Sequence, residues 1–305
     1  MAIQTEVWAR DIAGALFPAD SFVMKAINDD PWVDNKVVHR ANAGAVPSVS
    51  VNRAVYPAVA ALRTDIDGNY NLDELTSDPT HIPDIEEIET NYDKRMSVLS
   101  THINEINKQA CNHLAYRWGA TLVANIVRTT GGTTPANTPG ATGNRKKLTL
   151  TDLMAAKQVL DDMDVPYEGR HILIPASMYN NLVIDFKTEL MSADFRSEAT
   201  IKDGVVQKIF GFNVYTRGKK NVLRYTNAGT PVRILPSTAG AATDNAAALC
   251  WHEDFLARAK GAVKIYSDID APGYYGSVFS AMARIGGNKV YTDETGVVSI
   301  VEAAG

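Results

Sequence analysis

"GRHILIPASMYNNLV", residues 169–183, places an apolar run, a proline and a helical pattern within fifteen positions. The apolar run predicts a buried strand that breaks at Pro175. Tyr179, Leu182 and Val183 follow at helical spacing and predict a helix with one inward face. In an α/β enzyme the loop after such a strand usually holds a phosphate cradle or a nucleophile. Here the loop reads Pro-Ala-Ser, so the unit predicts packing without recognisable chemistry.

Further α and β patterns flank this unit. Thr151 is the expected N-cap of an amphipathic helix before it. Residues 205–219, "VVQKIFGFNVYTRGK", predict a strand pair bent at a glycine. A buried strand around 248–251 and a short helix at 252–260 come next. From Ala262 onward the chain alternates as strands, so the whole order predicts an α+β core interrupted by a second domain.

The strongest periodic pattern lies N-terminal to these elements. Apolar residues recur at steps of three or four, and acidic residues crowd the first turns, where the helix dipole favours them. The pattern predicts one helix of about thirty residues or more, running from Pro83 to about 127, well above the usual length. A coiled coil is the alternative, but irregular e and g charges favour a single helix that spans the molecule. The stripe consists of Ile85, Ile88, Tyr92, Met96, Leu99, Ile103, Ile106, Ala110 and Leu114.

Residues 46–80 predict a long two-stranded hairpin. Its first strand alternates apolar with small or polar residues, Asp67-Gly68 form the predicted turn, and residues 72–75 return. An isolated two-stranded hairpin is marginal in water and needs a partner surface, from this chain or another. The candidate interface residues here are Val49, Val51, Val55, Val59, Leu62, Asp67 and Gly68.

Residues 1–45 contain aromatic residues without a sustained period. Two interpretations stay open: an irregular N-terminal part of the core, or an arm that buries its aromatic residues on another surface. In the second case Trp8, Phe17 and Phe22 are further candidate interface residues.

The composition limits the class of protein. The chain has 305 residues, of which 45% are hydrophobic, and no apolar run approaches the length of a membrane span. A net charge of -5 argues against a protein that binds nucleic acid through a basic face. Cys111 and Cys250 do not make a disulfide framework. The N-terminus has no secretion pattern, so we expect synthesis in a cytoplasm and no membrane partner.

The chain contains no convincing catalytic or metal motif. Residues 65–74, "DIDGNYNLDE", copy the first positions of a calcium loop, but the glycine is misplaced and Thr76 stands where a glutamate is needed. Cys111 and His113 would point about 200° apart on a helix, which argues against a zinc site. No nucleophile elbow, phosphate loop or dinucleotide fingerprint occurs. We therefore predict no catalytic, cofactor-binding or metal-binding residue.

The order of elements resembles the HK97 fold of tailed-bacteriophage major capsid proteins. The best local matches are "P-x-x-x-Y-x-x-L" at 175–182 and "I-x-G-F-x-V-Y" at 209–215. The resemblance implies an α+β capsid fold with an N-arm, an extended E-loop hairpin, a P-domain with a long spine helix, and an inserted A-domain. The implied divisions are 1–45 for the N-terminal arm, 46–81 for the E-loop, 82–128 for the spine helix, 129–145 for a flexible linker, 146–258 for the A-domain, and 259–305 for the P-domain strands and C-terminus.

The resemblance also implies a function and partners. A protein of this family self-assembles as hexamers and pentamers into the icosahedral shell of a phage head that encloses double-stranded DNA. Its expected partners are portal, scaffolding and decoration proteins, with weak non-specific contact to DNA; it would be made in the host bacterial cytoplasm. No charged helical segment precedes the arm, which implies a separate scaffolding protein or none. No lysine lies between Lys36 and Lys94, so an isopeptide bond from the E-loop is not expected.

Three alternatives stay open from the sequence. An encapsulin-like nanocompartment shell shares the fold and would enclose cargo enzymes. A head-completion protein would form rings instead of closed shells. A calcium-dependent binding module or an enzyme using the 65–74 loop belongs to a different class.

Overall fold

A computed structural model describes residues 21–42, 49–54, 60, 62, 66–83, 94–189, 201–202, 205–206, 208–221, 223–271 and 273–305. The α-helices in these ranges are α1 (Lys94–Trp118), α2 (Leu150–Asp162) and α3 (Ala176–Glu189). The strands in the same ranges are β1 (Ile27–Asn28), β2 (Val33–Asp34), β3 (Val37–Val38), β4 (Ala41–Asn42), β5 (Ile66–Asp67), β6 (Tyr70–Asn71), β7 (Asp73–Thr76), β8 (Thr80–Pro83), β9 (Ile126–Arg128), β10 (Thr133–Pro135), β11 (Asn144–Lys146), β12 (Arg170–Pro175), β13 (Ile201–Lys202), β14 (Val205–Val206), β15 (Lys208–Ile209), β16 (Phe212–Arg217), β17 (Leu223–Tyr225), β18 (Arg233–Ile234), β19 (Asn245–His252), β20 (Leu256–Ala271), β21 (Gly276–Lys289) and β22 (Val297–Val301).

The large mixed sheet is built around β12 and β19. Strand β12 runs parallel to β16 and antiparallel to β19, and β22 pairs with β19 on its other side and with β9 beyond it. Alternate residues of β12 face two cores. Ile172 and Ile174 pack against α2 and α3, while Leu173 faces the core that contains Trp118 of α1. Both faces of the sheet are therefore covered, which explains the continuous apolar runs in its central strands.

A second sheet is formed by the long antiparallel pair of β20 and β21. Strand β1 joins β20 in parallel, and β7 and β8 extend the β21 edge. Helix α1 packs across β21, and the indole Nε1 of Trp118 donates a 3.0 Å hydrogen bond to the carbonyl oxygen of Ala257. A Cβ at Gly287 would lie 2.7 Å from Leu114 and 2.9 Å from Trp118, so glycine permits this close approach.

The strand-turn-helix unit of residues 169–183 is confirmed. Strand β12 ends at Pro175 and α3 follows at once, with Leu182 fully buried and Tyr179 and Val183 packed against the same core. The strand pair β15–β16 is also confirmed, with Gly211 at its turn at φ 86°. Helix α2 begins two residues earlier than predicted, because Thr149 and not Thr151 is the N-cap, in a reciprocal capping box with Asp152.

Two predicted helical boundaries are wrong. The long helix ends at Trp118 and not near residue 127; its predicted first turns, 84–93, lie outside the described residues. The predicted helix at 252–260 is only a single 3₁₀ turn, Glu253–Phe255, followed by β20. Pairing of β20 with β21 provides the backbone of this segment with more partners than an isolated short helix would.

The predicted hairpin has a different register from the one expected. Residues 37–42 pair antiparallel with 66–71, so the excursion between them spans 43–65, which we call the extended loop. Asp67 pairs with Ala41, and the backbone N–H of Gly68 donates a 2.7 Å hydrogen bond to the carbonyl oxygen of Arg40. The predicted turn at Asp67-Gly68 therefore lies at the base of the loop and not at its tip.

Candidate interaction surfaces

The described residues of the extended loop expose apolar side chains. The middle of the loop falls at residue 54, and the described segment 49–54 is exposed throughout. Val49 is 90% exposed, Val51 86% and Leu62 94%. Removing a valine or leucine side chain from water is worth about 1.5–3 kcal/mol, so this surface gains stability when something covers it. The predicted strand at 49–54 is wrong, because the described segment turns at residues 51–52.

The other predicted interface residues divide into two groups. Trp8, Phe17, Val55 and Val59 lie outside the described residues. The prediction that Phe22 is an interface residue is wrong, because its side chain is 6% exposed and belongs to the core of its own chain. Its ring meets those of Trp118 and Trp251 edge-on at 6.1 and 6.2 Å. The N-cap at Ser21 begins a 3₁₀ turn that directs Phe22 inward.

The base of the extended loop is bonded to the second sheet through Asp29. This carboxylate is 3% exposed and accepts hydrogen bonds from Arg40 Nη1 at 3.2 and 3.3 Å and from the Tyr70 hydroxyl at 3.0 Å. Burial, followed by the nearby Asp29 charge, raises the pKa of Tyr70, so its hydroxyl remains a donor. The Asp29 N–H donates to the carbonyl oxygen of Arg258 on β20 at 2.8 Å. The two strands that flank the extended loop are therefore held to the second sheet.

The C-terminal end of α1 is bonded to distant parts of the chain. Arg233 Nη1 donates 2.7 Å hydrogen bonds to the carbonyl oxygens of Tyr116 and Arg117. Lys289 and the Tyr225 hydroxyl donate to the carbonyl oxygens of the two residues after the helix, at 3.1 and 2.7 Å. These donors satisfy carbonyls that a helix end leaves free, and the two cations complement the helix dipole.

Glu294 is the central acceptor of the neighbouring turn. It accepts from the N–H groups of Thr121 and Leu122, from the Thr121 hydroxyl, and from Lys289 Nζ at 2.5 Å. Burial would raise the pKa of this carboxyl, but hydrogen bonds from Lys289 and Thr121 outweigh it and leave the pKa lowered. Neither this network nor the one at Asp29 follows from a sequence pattern, because the partners are far apart in the chain.

A groove runs between α1 and the strands β7 and β8, and we call it the α1–β7 groove. It consists of two adjoining cavities of about 540 and 470 Å³ that share Thr76, Ser77, Glu105 and Gln109. At one end, Asp73 Oδ2 lies 2.6 Å from His113 Nε2 and also accepts from Arg117. Burial raises the pKa of Asp73, but hydrogen bonds from Arg117 and His113 reverse this, so its pKa is lowered.

The candidate metal positions are otherwise engaged. Residues 66–67 and 70–71 of the calcium-like stretch lie in strands β5 and β6. His113 contacts Asp73, while His252 Nε2 lies 2.6 Å from the carbonyl oxygen of Glu168. Among the described residues, no three His, Cys, Asp or Glu side chains come together as a metal site. In the same part of the chain, no helix combines the length and apolarity needed to cross a membrane.

Comparison with known proteins found one matching family model and several similar solved structures. A family model described as phage capsid protein matches residues 117–302. The chain is similar to the capsid of cyanophage P-SCSP1u, with 17% identity, a TM-score of 0.60, and 92% of this chain and 87% of that chain covered. The capsid of Ralstonia phage GP4 matches with 12% identity, a TM-score of 0.61, and coverage of 96% and 90%. A virus-like particle from Pyrococcus furiosus matches with 9% identity, a TM-score of 0.53, and coverage of 97% and 99%. None of the curated proteins matches the chain.

The match over more than half of its length shows that the chain belongs to the phage capsid protein family. It is a major capsid protein, which assembles with copies of itself into the icosahedral shell of a bacteriophage head and is located in the virion capsid. The predicted HK97-like α+β fold class and the predicted function are confirmed. The family is structural and not enzymatic, which argues against the enzyme alternative. The match to the phage capsid family favours the phage head over the nanocompartment and calcium-module alternatives.

Proposed function

We propose that the extended loop is the principal arm by which one subunit holds its neighbours in hexamers and pentamers. The observation that carries this proposal is the exposure of Val49 and Val51, 90% and 86%, in a loop whose flanking strands are bonded to the second sheet. An apolar surface of this kind stays wet in a monomer and is covered in an assembly. Leu62, Val55 and Val59 belong to the same proposed contact, and Trp8 and Phe17 to an N-terminal arm contact.

We also propose the domain division that the resemblance to the capsid fold implies. Residues 1–45 are assigned to the N-terminal arm, 46–81 to the E-loop, 82–128 with 259–305 to the P-domain, and 146–258 to the A-domain after a linker at 129–145. Two features of the structure support changes to these boundaries. Residues 37–42 form one side of the loop base, which supports an earlier start of the E-loop. Strands β9 and β22 pair within the large sheet, which supports a larger A-domain. On this basis we propose to move β9 and β22 from the P-domain to the A-domain.

The shell is proposed to enclose double-stranded DNA without binding it tightly. A net charge of -5 supports this, because a wall with excess acidic residues attracts phosphates weakly. We further propose that portal, scaffolding and decoration proteins complete the head, and that the chain is made in the host bacterial cytoplasm.

Electron microscopy of the protein expressed alone and with its genomic neighbours tests the proposal. We expect closed or partly closed shells, or free hexamers and pentamers. A variant in which residues 46–62 are replaced by a short Gly-Ser linker should fold but remain unassembled. Normal shells from that variant would contradict the role of the loop, and a strictly monomeric wild-type protein at every concentration would contradict the whole proposal.

A further inference from the structure

Residues 21–30 form a short segment that lies against both sheets, and we call it the strap. It consists of a single 3₁₀ turn, Phe22–Met24, followed by the two-residue strand β1. Neither element is long enough to be stable alone, because short helices and isolated strands depend on packing for their stability. Phe22, Val23 and Asp29 are nevertheless buried. The position of the strap is therefore decided by the surfaces that it contacts.

The first anchor of the strap is Phe22, at the junction of the two sheets. The centre of its ring lies 6.1 Å from that of Trp118 at the end of α1 and 6.2 Å from that of Trp251 in β19. The guanidinium of Arg217 lies 5.5 Å from the centre of the same ring. Val23 is fully buried in the same core. Aromatic pairs and cation–π contacts add to the stabilisation that apolar burial provides, so this anchor fixes the start of the strap.

The rest of the strap is bonded to the neighbouring strands. The indole Nε1 of Trp251 donates a 2.8 Å hydrogen bond to the carbonyl oxygen of Lys25. Strand β1 then pairs in parallel with β20, and the N–H of Asp29 donates to the carbonyl oxygen of Arg258 at 2.8 Å. Seven positions separate Phe22 from Asp29, a length that can span at most about 25 Å. A segment this short, bonded at several points, has little slack between its two ends.

The second anchor of the strap is the carboxylate of Asp29. It accepts hydrogen bonds from Arg40, which precedes the extended loop, and from Tyr70, which follows it. Loss of these donors would leave a buried carboxylate unsatisfied, which is costly, so both side chains are expected to follow the position of Asp29. The base of the loop also has an apolar contact of its own with β20, formed by Val38, Leu72 and Ala259. The base can therefore stay folded when the strap is released.

We propose that the strap is a conformational link between the twenty residues that precede it and the extended loop. With Phe22 docked against the two tryptophans, Asp29 is held in place and the base of the loop is ordered. With Phe22 released, Asp29 loses its position and the base becomes looser. Such coupling is reciprocal, so loosening the base also favours release of the strap. The link is a property of the single subunit, and only its effect on assembly rests on the proposed role of the loop.

Hydrogen exchange of the unassembled subunit, measured by mass spectrometry, tests the link in one direction. Phe22→Ala should make exchange at residues 37–42 and 66–71 about tenfold faster, within the range of about 5–150-fold that is typical of coupled sites. Leu182→Ala is the matched control, because Leu182 is fully buried in the core on the other face of the large sheet. An increase at the loop base no larger in Phe22→Ala than in Leu182→Ala would overturn the proposal.

Thiol labelling tests the link in the opposite direction, and it decides the question if Phe22→Ala does not fold. The thiol of Cys111 is buried and contacts the side chain of Ser21 at the start of the strap. Release of the strap therefore uncovers this thiol. Cys250 is fully buried in the core on the other face of the large sheet and serves as the internal control.

Tyr70→Phe weakens the link at its other end, because it removes a donor from Asp29. Cys111 should then react with a maleimide about fivefold faster than in wild type, the low end of the range for coupled sites, while Cys250 stays unreactive. Tyr275→Phe, at an 85% exposed position, should label like wild type. Labelling of Cys111 at the wild-type rate in Tyr70→Phe would overturn the proposal. Both measurements use the unassembled subunit, so their outcome is independent of the role of the loop in assembly.

Discussion

The guanidinium of Arg233 lies 5.1 Å from the centre of the Tyr116 ring and donates a 2.7 Å hydrogen bond to the carbonyl oxygen of the same residue. One side chain of strand β18 thus contacts both the side chain and the backbone of the last turn of α1. Because α1 packs on the second sheet and β18 belongs to the large sheet, this contact joins the two sheets at the end of the helix.

Arg233→Ala should destabilise the unassembled subunit by about 2–4 kcal/mol, since hydrogen bonds from a charged donor contribute about 1.5–3 kcal/mol each and are not additive. Urea unfolding followed by circular dichroism measures the change. Arg233→Lys keeps the charge at the helix end but not the stacked, two-acceptor geometry, so it should retain only part of the stability. Equal stability of wild type and Arg233→Ala would show that the contact is not energetically important.

Glu294→Gln should remove the acid sensitivity that Glu294 gives to the fold. Burial tends to raise the pKa of this carboxyl, but Lys289 and Thr121 lower it overall, so the folded-state pKa lies below the unfolded value of about 4.5. The stabilisation is therefore present above pH 4.5 and is lost as the pH falls through the folded-state pKa. Chemical unfolding measured from neutral to acid pH should show a smaller decline for Glu294→Gln than for wild type.

At neutral pH the same variant should lose about 3 kcal/mol, because Lys289 remains buried without its charged partner. Asp293→Asn, an exposed carboxylate next in the chain, is the control and should leave both the stability and its pH dependence unchanged within about 0.5 kcal/mol. Parallel acid profiles of Glu294→Gln and wild type would contradict the assignment.

Tyr70→Phe should loosen the base of the extended loop. It removes the 3.0 Å hydrogen bond to Asp29, which leaves this buried carboxylate with fewer donors and costs about 1–3 kcal/mol. We expect faster hydrogen exchange at residues 37–42 and 66–71, measured by mass spectrometry. Tyr275→Phe, at an 85% exposed position, is the control and should exchange like wild type. Unchanged exchange in Tyr70→Phe would mean that backbone pairing alone holds the base.

Val51→Asp should impair assembly much more than subunit folding. The side chain is 86% exposed, so a carboxylate there costs the unassembled subunit little, within about 0.5 kcal/mol. In the shell the same carboxylate would be buried without a partner, which is costly. Light scattering measures assembly and thermal melting measures folding. Val232→Asp, at a 60% exposed position away from the loop, is the matched control; a large fall in the melting temperature of Val51→Asp would refute the prediction.

Much of the fold follows from local patterns. The unit at 169–183 was predictable because its strand, proline and helix each act within a few positions. The strand pair β15–β16 was predictable because Gly211 supplies the positive φ that the turn between these strands needs. The helical stripe that ends at Leu114 likewise follows from spacing alone.

The errors arise where distant partners decide the structure. Where helix α1 ends, at Trp118, Arg233 binds carbonyls of its last turn, and Lys289 and Tyr225 bind those of the next two residues. These donors lie far away in sequence, so no local pattern predicts this helix end. The loop register follows from pairing with residues 37–42 and not from the turn propensity of Asp67-Gly68. The sequence could predict that valines of the extended loop need a partner surface. It could not predict that Phe22 points inward, because that direction depends on two tryptophans from other elements.

The pairing of β9 with β22 has a kinetic consequence. Residues 126–128 must find residues 299–301 across more than half of the chain before the large sheet is complete. Contacts of such high sequence separation form slowly, because their loop-closure entropy is lost before the pairing contributes any stability. Until then β9 and β19 expose unpaired strand edges, which can join other chains incorrectly. The rate at which subunits mature, and with it the supply of correctly built heads, is therefore expected to depend on this long-range pairing step.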